Sequence, residues 1–157
     1  MMILYRLVRL IETHSDALAA SLLNRVHNSR ATPAYINVPP EELKERVAEI
    51  YRHLGEWIMY KNEVELEKRY RTIGAQRAKQ NVPFSQLAWA IILTKDNLWA
   101  FLKTESIADR PLEILGELEI LQLLDHFFDR AIYYAGLGYE KELADQAFEA
   151  RGFARVA

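Results

Sequence analysis

Apolar residues recur every three or four positions along almost the whole chain, and no segment alternates them every second position. A three-to-four spacing places side chains on one face of a helix, whereas a half-buried strand needs strict alternation. No Asn-Gly or Asp-Gly hairpin signal occurs, and no fixed-period repeat or low-complexity tract interrupts the pattern. The chain therefore reads as all-α: a single-domain bundle of five to six antiparallel-packed helices over residues 1–150, with 151–157 as a C-terminal tail.

The stripes place the helices. Leu4, Leu7, Ile11, Leu18 and Leu22 form the first, and His14 falls on it. A polar stretch, HNSRATPAYINVPP, reads as a loop. Pro40 suits the first turn of a second helix, with Glu41 and Glu42 complementing its dipole. Leu43, Val47, Ile50, Leu54 and Trp57 line that helix, and Leu66, Tyr70, Ile73 and Arg77 line a third. Pro83 is expected to stop the third, because the residue before a proline avoids helical backbone. Phe84, Leu87, Ile91, Leu98 and Leu102 mark a fourth. Asp109 is the expected N-cap of a fifth, with Pro111 in its first turn and Ile114, Leu118, Leu121, Phe128 and Ile132 facing inward. Gly136 and Gly138 are expected to end or kink it, leaving YEKELADQAFEARG as a further amphipathic piece.

Composition removes several functions. The 157 residues carry 20 basic and 22 acidic side chains, a net charge of −2 that gives no field for nucleic acid or an anionic membrane. There is no cysteine, so disulfides, thiolate catalysis and cysteine-based metal sites are excluded. Arg6, Arg9 and Glu12 interrupt the apolar N-terminus, which makes a poor signal-peptide core, and no run reaches the roughly 18 apolar residues of a membrane span. A cytoplasmic location is expected.

The stretch RTIGAQRAKQNVPFSQLAWA, residues 71–90, tests whether basic residues make a nucleic-acid surface. Arg69, Arg71, Arg77 and Lys79 point in different directions on a helix, and Glu63, Glu65 and Glu67 offset them. Gly74 sits within the apolar arc, which suits close packing against a crossing helix, and no phosphate-loop spacing surrounds it. The stretch reads as the corner of a helical hairpin.

Tyr70, Gly74, Arg77 and Pro83 also carry a resemblance. YRTIGAQRAKQNVPFSQLAWAI is similar to a Tyr-x-x-x-Gly-x-x-Arg-x-x-x-x-x-Pro motif, and LLDHFFDRAIYYAGLGYEKE resembles the last helix of the same family. That family is the N-terminal sensory domain of RsbT co-antagonist proteins of the RsbRD type, found in bacterial stressosomes. The resemblance spans roughly residues 40–142. It implies an all-helical, non-enzymatic sensory or regulatory domain. No STAS, kinase or DNA-binding output module follows within the 157 residues.

Polar residues on apolar faces supply the candidate site. Arg77 continues the Tyr70 stripe, Lys95 falls between Ile91 and Leu98, and Asp125 between Leu121 and Phe128. Inward charge is costly unless paired, so a polar cluster joining Arg77 or Lys95 to Asp125 is expected, the alternative being side chains that snorkel at helix edges. His14 is the inward histidine, either a hydrogen-bonded core residue, a ligand or a pH sensor. Trp57, Trp89, Trp99, Tyr51, Tyr60, Tyr70, Phe101, Phe127 and Phe128 serve a core, a subunit interface or the lining of a cavity for a small apolar ligand. His14, Tyr70, Arg77, Lys95, Trp99 and Asp125 are accordingly the candidate ligand-binding or buried polar residues.

A metal site is not expected. Glu49, His53 and Glu56 share a face that borders the core without entering it, His126 and Asp129 share another, and no Glu-x-x-His occurs. No Gly-x-Ser-x-Gly nucleophile motif is present. The reading is a non-enzymatic sensor that binds a partner protein or small ligand without a cofactor, as a homodimer and away from nucleic acid and membrane. The competing reading is a metal- or haem-loaded bundle with redox or gas-sensing activity, for which His14 is the axial candidate.

Overall fold

The computed structural model describes residues 2–60, 62–105 and 111–156, and among them no strand occurs. The helices are α1 (Met2–Thr13), α2 (Ser15–Asn28), α3 (Pro40–Tyr60), α4 (Glu63–Lys79), α5 (Phe84–Thr104) and α6 (Pro111–Val156). The expected Asp109 cap and the side chains of Leu4 and Ile114 lie outside the described residues. No helix among them is long and apolar enough to cross a membrane.

The stripes of α3 and α4 are buried as their spacing requires. Leu43, Val47, Ile50, Leu54 and Trp57 all face the core, as do Leu66, Tyr70, Ile73 and Arg77. The first stripe departs from expectation at His14. The chain kinks there, and Ser15 is buried at the position that spacing assigns to His14, while His14 is exposed. The 28–39 stretch is more than a loop. Thr32 Oγ1 donates to the Val26 carbonyl at 2.9 Å, a 3-10 turn runs over Pro33–Asn37, and Tyr35 and Val38 are buried.

The corner between α4 and α5 is present, but Asn81 makes it. Asn81 adopts φ 57°, the left-handed region, and the Val82 N–H bonds the Arg77 carbonyl at 3.1 Å while the Asn81 N–H bonds that of Ala78 at 3.1 Å. This is a Schellman closure of α4, with Val82 buried beneath it. Pro83 stands outside the stop and heads α5 with extended backbone. Asparagine tolerates left-handed backbone, whereas an ordinary side chain there costs roughly 1–2 kcal/mol. Asn81→Ala should therefore lower stability by about 1 kcal/mol in urea unfolding, and Asn81→Gly should not.

α6 is one helix of 46 residues, about 69 Å long at 1.5 Å per residue. Gly136 and Gly138 neither end nor kink it. Gly136 lies against the Phe84 ring, and Gly138 sits where α6 meets α4. α4 is the most extensive neighbour of α6, and it also touches α5 beyond the corner. A Cβ on Gly74 would stand 2.0 Å from the Ala135 carbonyl oxygen, and one on Gly138 would stand 2.1 Å from that of Arg71. The two backbones nearly touch, with Ala78, Ala131 and Ala135 buried around the crossing. Leu118 is exposed rather than inward, while Leu124, Phe127 and Phe128 fill the core. From Lys141 onward the α6 side chains that are described face solvent, with Glu142 half-buried.

Candidate ligand site

The polar core of the bundle has two separate parts. In one, the Tyr51 hydroxyl donates to the Thr94 carbonyl at 2.9 Å, Asn97 Nδ2 donates to the Leu18 carbonyl at 2.9 Å, and Ser21 donates to Asn97 Oδ1 at 2.9 Å. These bonds tie α2, α3 and α5 together. Thr94 and Asn97 are the inward polar residues of α5, because Thr94 fits the Ile91–Leu98 spacing as well as Lys95 does and is much shorter.

Arg77 forms the other part. Its side chain is only 3% exposed, and Nη1 donates to Glu42 Oε1 at 3.2 Å and to Gln80 Oε1 at 2.8 Å. Gln80 Nε2 also donates to Glu42 at 3.1 Å, and the guanidinium lies 5.8 Å from the centre of the Tyr35 ring. Arg77 Nε is buried without a partner. Beside it is a narrow hollow of about 40 Å³, lined by Tyr35, Arg46, Tyr70, Arg77 and Thr94 among apolar side chains.

The expected joining of charges occurs between Lys95 and Asp125, at 3.7 Å, but their side chains are 29% and 50% exposed. This is a solvated α5–α6 pair worth at most about 1 kcal/mol, and Arg77 belongs to a different cluster. His14 is a correction to the inward reading. Its Nδ1 lies 2.9 Å from the Leu10 carbonyl oxygen, which places a proton on that nitrogen, and its ring leans on Phe101 at 5.3 Å. Trp99 is half-buried, with an indole N–H that has no partner.

Burial pushes the phenols of Tyr51 and Tyr70 far above the usual tyrosine range, and that of Tyr35 upward, against the opposing pull of Arg77. Their folded-state values exceed the unfolded value near 10. Above about pH 10 the unfolded chain then binds fewer protons than the folded one, so stability is intact below that pH and falls as pH rises further. Absorbance at 295 nm should show these three of the eight tyrosines ionising only as helical circular dichroism is lost.

A hollow with an apolar floor that reaches the core lies at the α3–α4 corner. Its volume is about 230 Å³. Ile50, Trp57, Leu66 and Phe127 form the floor, and His53, Glu56, Glu65 and Arg69 stand among its polar lining. Arg69 Nη1 donates to Glu49 Oε1 at 3.2 Å, and His53 Nδ1 is 3.5 Å from Glu56. Trp57 is 7% exposed, and its indole N–H is buried without an acceptor. Phe127 meets Trp57 edge-on at 5.4 Å and Tyr70 at 5.9 Å, so one aromatic chain links this pocket to the wall of the hollow beside Arg77. Of the six candidate residues His14, Tyr70, Arg77, Lys95, Trp99 and Asp125, Tyr70 is the one in contact with that chain. Glu49, His53 and Glu56 do line up on one face, but Glu49 turns to Arg69, and no group of three or more histidine, aspartate or glutamate side chains forms a metal-binding set among the described residues.

Helices packed on one another around a core that holds polar clusters, with a mixed-polarity pocket at one corner, define an all-α bundle domain. The chain belongs to the RsbT co-antagonist protein rsbRD N-terminal domain family, whose model matches residues 7–152. It is a signalling domain of that family. Comparison with curated proteins and with solved structures returned no significant match.

Proposed function

We propose that this is a non-enzymatic, stressosome-type sensor domain that meets its signal by binding a small molecule in the α3–α4 corner pocket and hands it to a partner protein through α6. The observation that carries the reading is the position of Phe127. It belongs to α6 yet lines the pocket floor and touches both Trp57 and Tyr70. An occupant of the pocket presses on the helix whose far end is exposed. A second reading concerns assembly: Leu143 is 46% and Phe148 77% exposed on that end, which favours a protein partner, a second copy of the chain included.

The test is a thermal-shift screen of the purified chain against a library of small metabolites. A true ligand raises the melting temperature, is recovered chemically unchanged, and loses its effect in His53→Trp, which fills the rim without touching the floor. Consumption of the ligand, or binding indifferent to His53→Trp, overturns the reading. Light scattering should give twice the 18.3 kDa chain mass if α6 pairs with its copy.

A further inference from the structure

We infer that the α3–α4 corner pocket takes a free α-amino acid with an apolar side chain; this rests on the reading above that the pocket receives a small molecule. The volume bounds the size first. About 230 Å³ is the space of roughly eight liquid waters, below the range of drug-sized sites, and fits a molecule such as free leucine or phenylalanine.

The lining then selects the polar groups. Arg69 uses one of its five N–H donors on Glu49, and the rest of the guanidinium is free to hold a carboxylate in the two-pronged geometry that arginine favours. Trp57 lines the pocket with the apolar part of its ring, since its indole nitrogen is itself buried. Glu56 and Glu65 line the same pocket and offer acceptors to an ammonium group. A simple anion would satisfy Arg69 but face two carboxylates. A simple cation would suit Glu56 and Glu65 but face the guanidinium. A zwitterion answers both sets, with its carboxylate on Arg69 and its ammonium on the glutamates. The floor of Ile50, Leu66 and Phe127 fixes the side chain as apolar.

The experiment is calorimetry and thermal shift on the full chain with L-leucine, L-phenylalanine, L-glutamate and L-lysine. It also uses 3-phenylpropanoate and 2-phenylethylamine, which are phenylalanine without its ammonium and without its carboxylate. Leucine or phenylalanine should raise the melting temperature by about 5 °C at saturation, while the charged amino acids and the two truncated probes should bind at least about tenfold more weakly. Arg69→Met and Glu56→Gln should each weaken the amino acid by a similar factor with circular dichroism unchanged. Glu56 is 69% exposed, so its variant carries the test even if Arg69→Met unfolds. Equal binding of either truncated probe, or full affinity in Glu56→Gln, overturns the zwitterion. If no amino acid binds but another metabolite does so in a His53→Trp-sensitive way, this inference fails and the wider reading stands. If nothing in the library binds, both fail.

Discussion

Gly74→Ala should lower the melting temperature by about 6–12 °C. The new Cβ would lie 2.0 Å from the Ala135 carbonyl oxygen and 3.0 Å from the Tyr139 nitrogen. These are backbone atoms of a long helix, which cannot rotate away as a side chain would. The added methyl can only drive α4 and α6 apart, and that separation opens the packing of Ala78, Ala131 and Ala135 as well. Overpacking a core typically costs about 1–3 kcal/mol and more where nothing yields. The better helix propensity of alanine returns about 1 kcal/mol. A net loss of about 3 kcal/mol is expected, and in a chain of this length each kcal/mol moves the midpoint by about 2–4 °C.

Gly138→Ala should behave alike, since its Cβ would meet the Arg71 backbone at 2.1 Å. The double variant should cost less than the two single losses added, because the first substitution already parts the helices that the second would strain. Gly152→Ala is the control. Nothing lies within 4 Å of that position, so only the propensity gain remains, and the midpoint should stay or rise slightly. A Gly74→Ala midpoint equal to wild type would mean that α4 and α6 are further apart than the 2.0 Å clearance at Gly74 requires.

These glycines also mark where sequence patterning stops being informative. The α3 and α4 stripes are legible because one face of each helix meets one continuous core, so Leu43 to Trp57 and Leu66 to Arg77 follow the helical period without exception. Gly136 and Gly138 look the same to local rules whether they end a helix or lie against another one, and only the positions of α4 and α5 decide. His14 departs from its stripe because a kink of one residue shifts the register and turns Ser15 inward in its place. Tyr35 and Val38 are hidden in a polar stretch because a 3-10 turn folds them back under α2 and α5, a packing with no periodic trace. Lys95 and Thr94 fit the α5 stripe equally by spacing, and the close approach of Tyr51 selects the smaller one. The corner pocket draws His53 and Trp57 from α3, Arg69 from α4 and Phe127 from α6, so no single segment announces it. The aromatic residues are visible in the sequence as candidate cavity liners, and their meeting point is not.

Arg77 illustrates the opposite situation, in which the stripe correctly puts a charge inside and its partner comes from elsewhere. Glu42 stands in the first turn of α3, 35 positions away, where acidic residues are expected for the helix dipole alone. The asymmetry of this pair gives the second large effect. Arg77 is 3% exposed and Glu42 32%, so the two partners do not lose equally when separated. Glu42→Ala leaves the guanidinium buried with only Gln80 to accept from it, over the face of Tyr35. Removing one partner of a buried pair costs about 3–5 kcal/mol when the other charge cannot reach water. Because Glu42 is partly solvated and Gln80 remains, about 3 kcal/mol is expected. Arg77→Met removes the buried charge and its unpartnered Nε–H together, keeps much of the side-chain volume, and leaves a carboxylate that can rehydrate. Replacing buried charges with apolar groups of similar shape is often close to neutral, so this loss should stay near 1 kcal/mol. Urea unfolding should thus rank Glu42→Ala well below Arg77→Met, and adding Arg77→Met to Glu42→Ala should restore stability relative to Glu42→Ala alone. Were Arg77→Met the more damaging change, the guanidinium would be holding something that its bonds to Glu42 and Gln80 do not account for, and the 40 Å³ hollow beside its free Nε–H is where that group would sit.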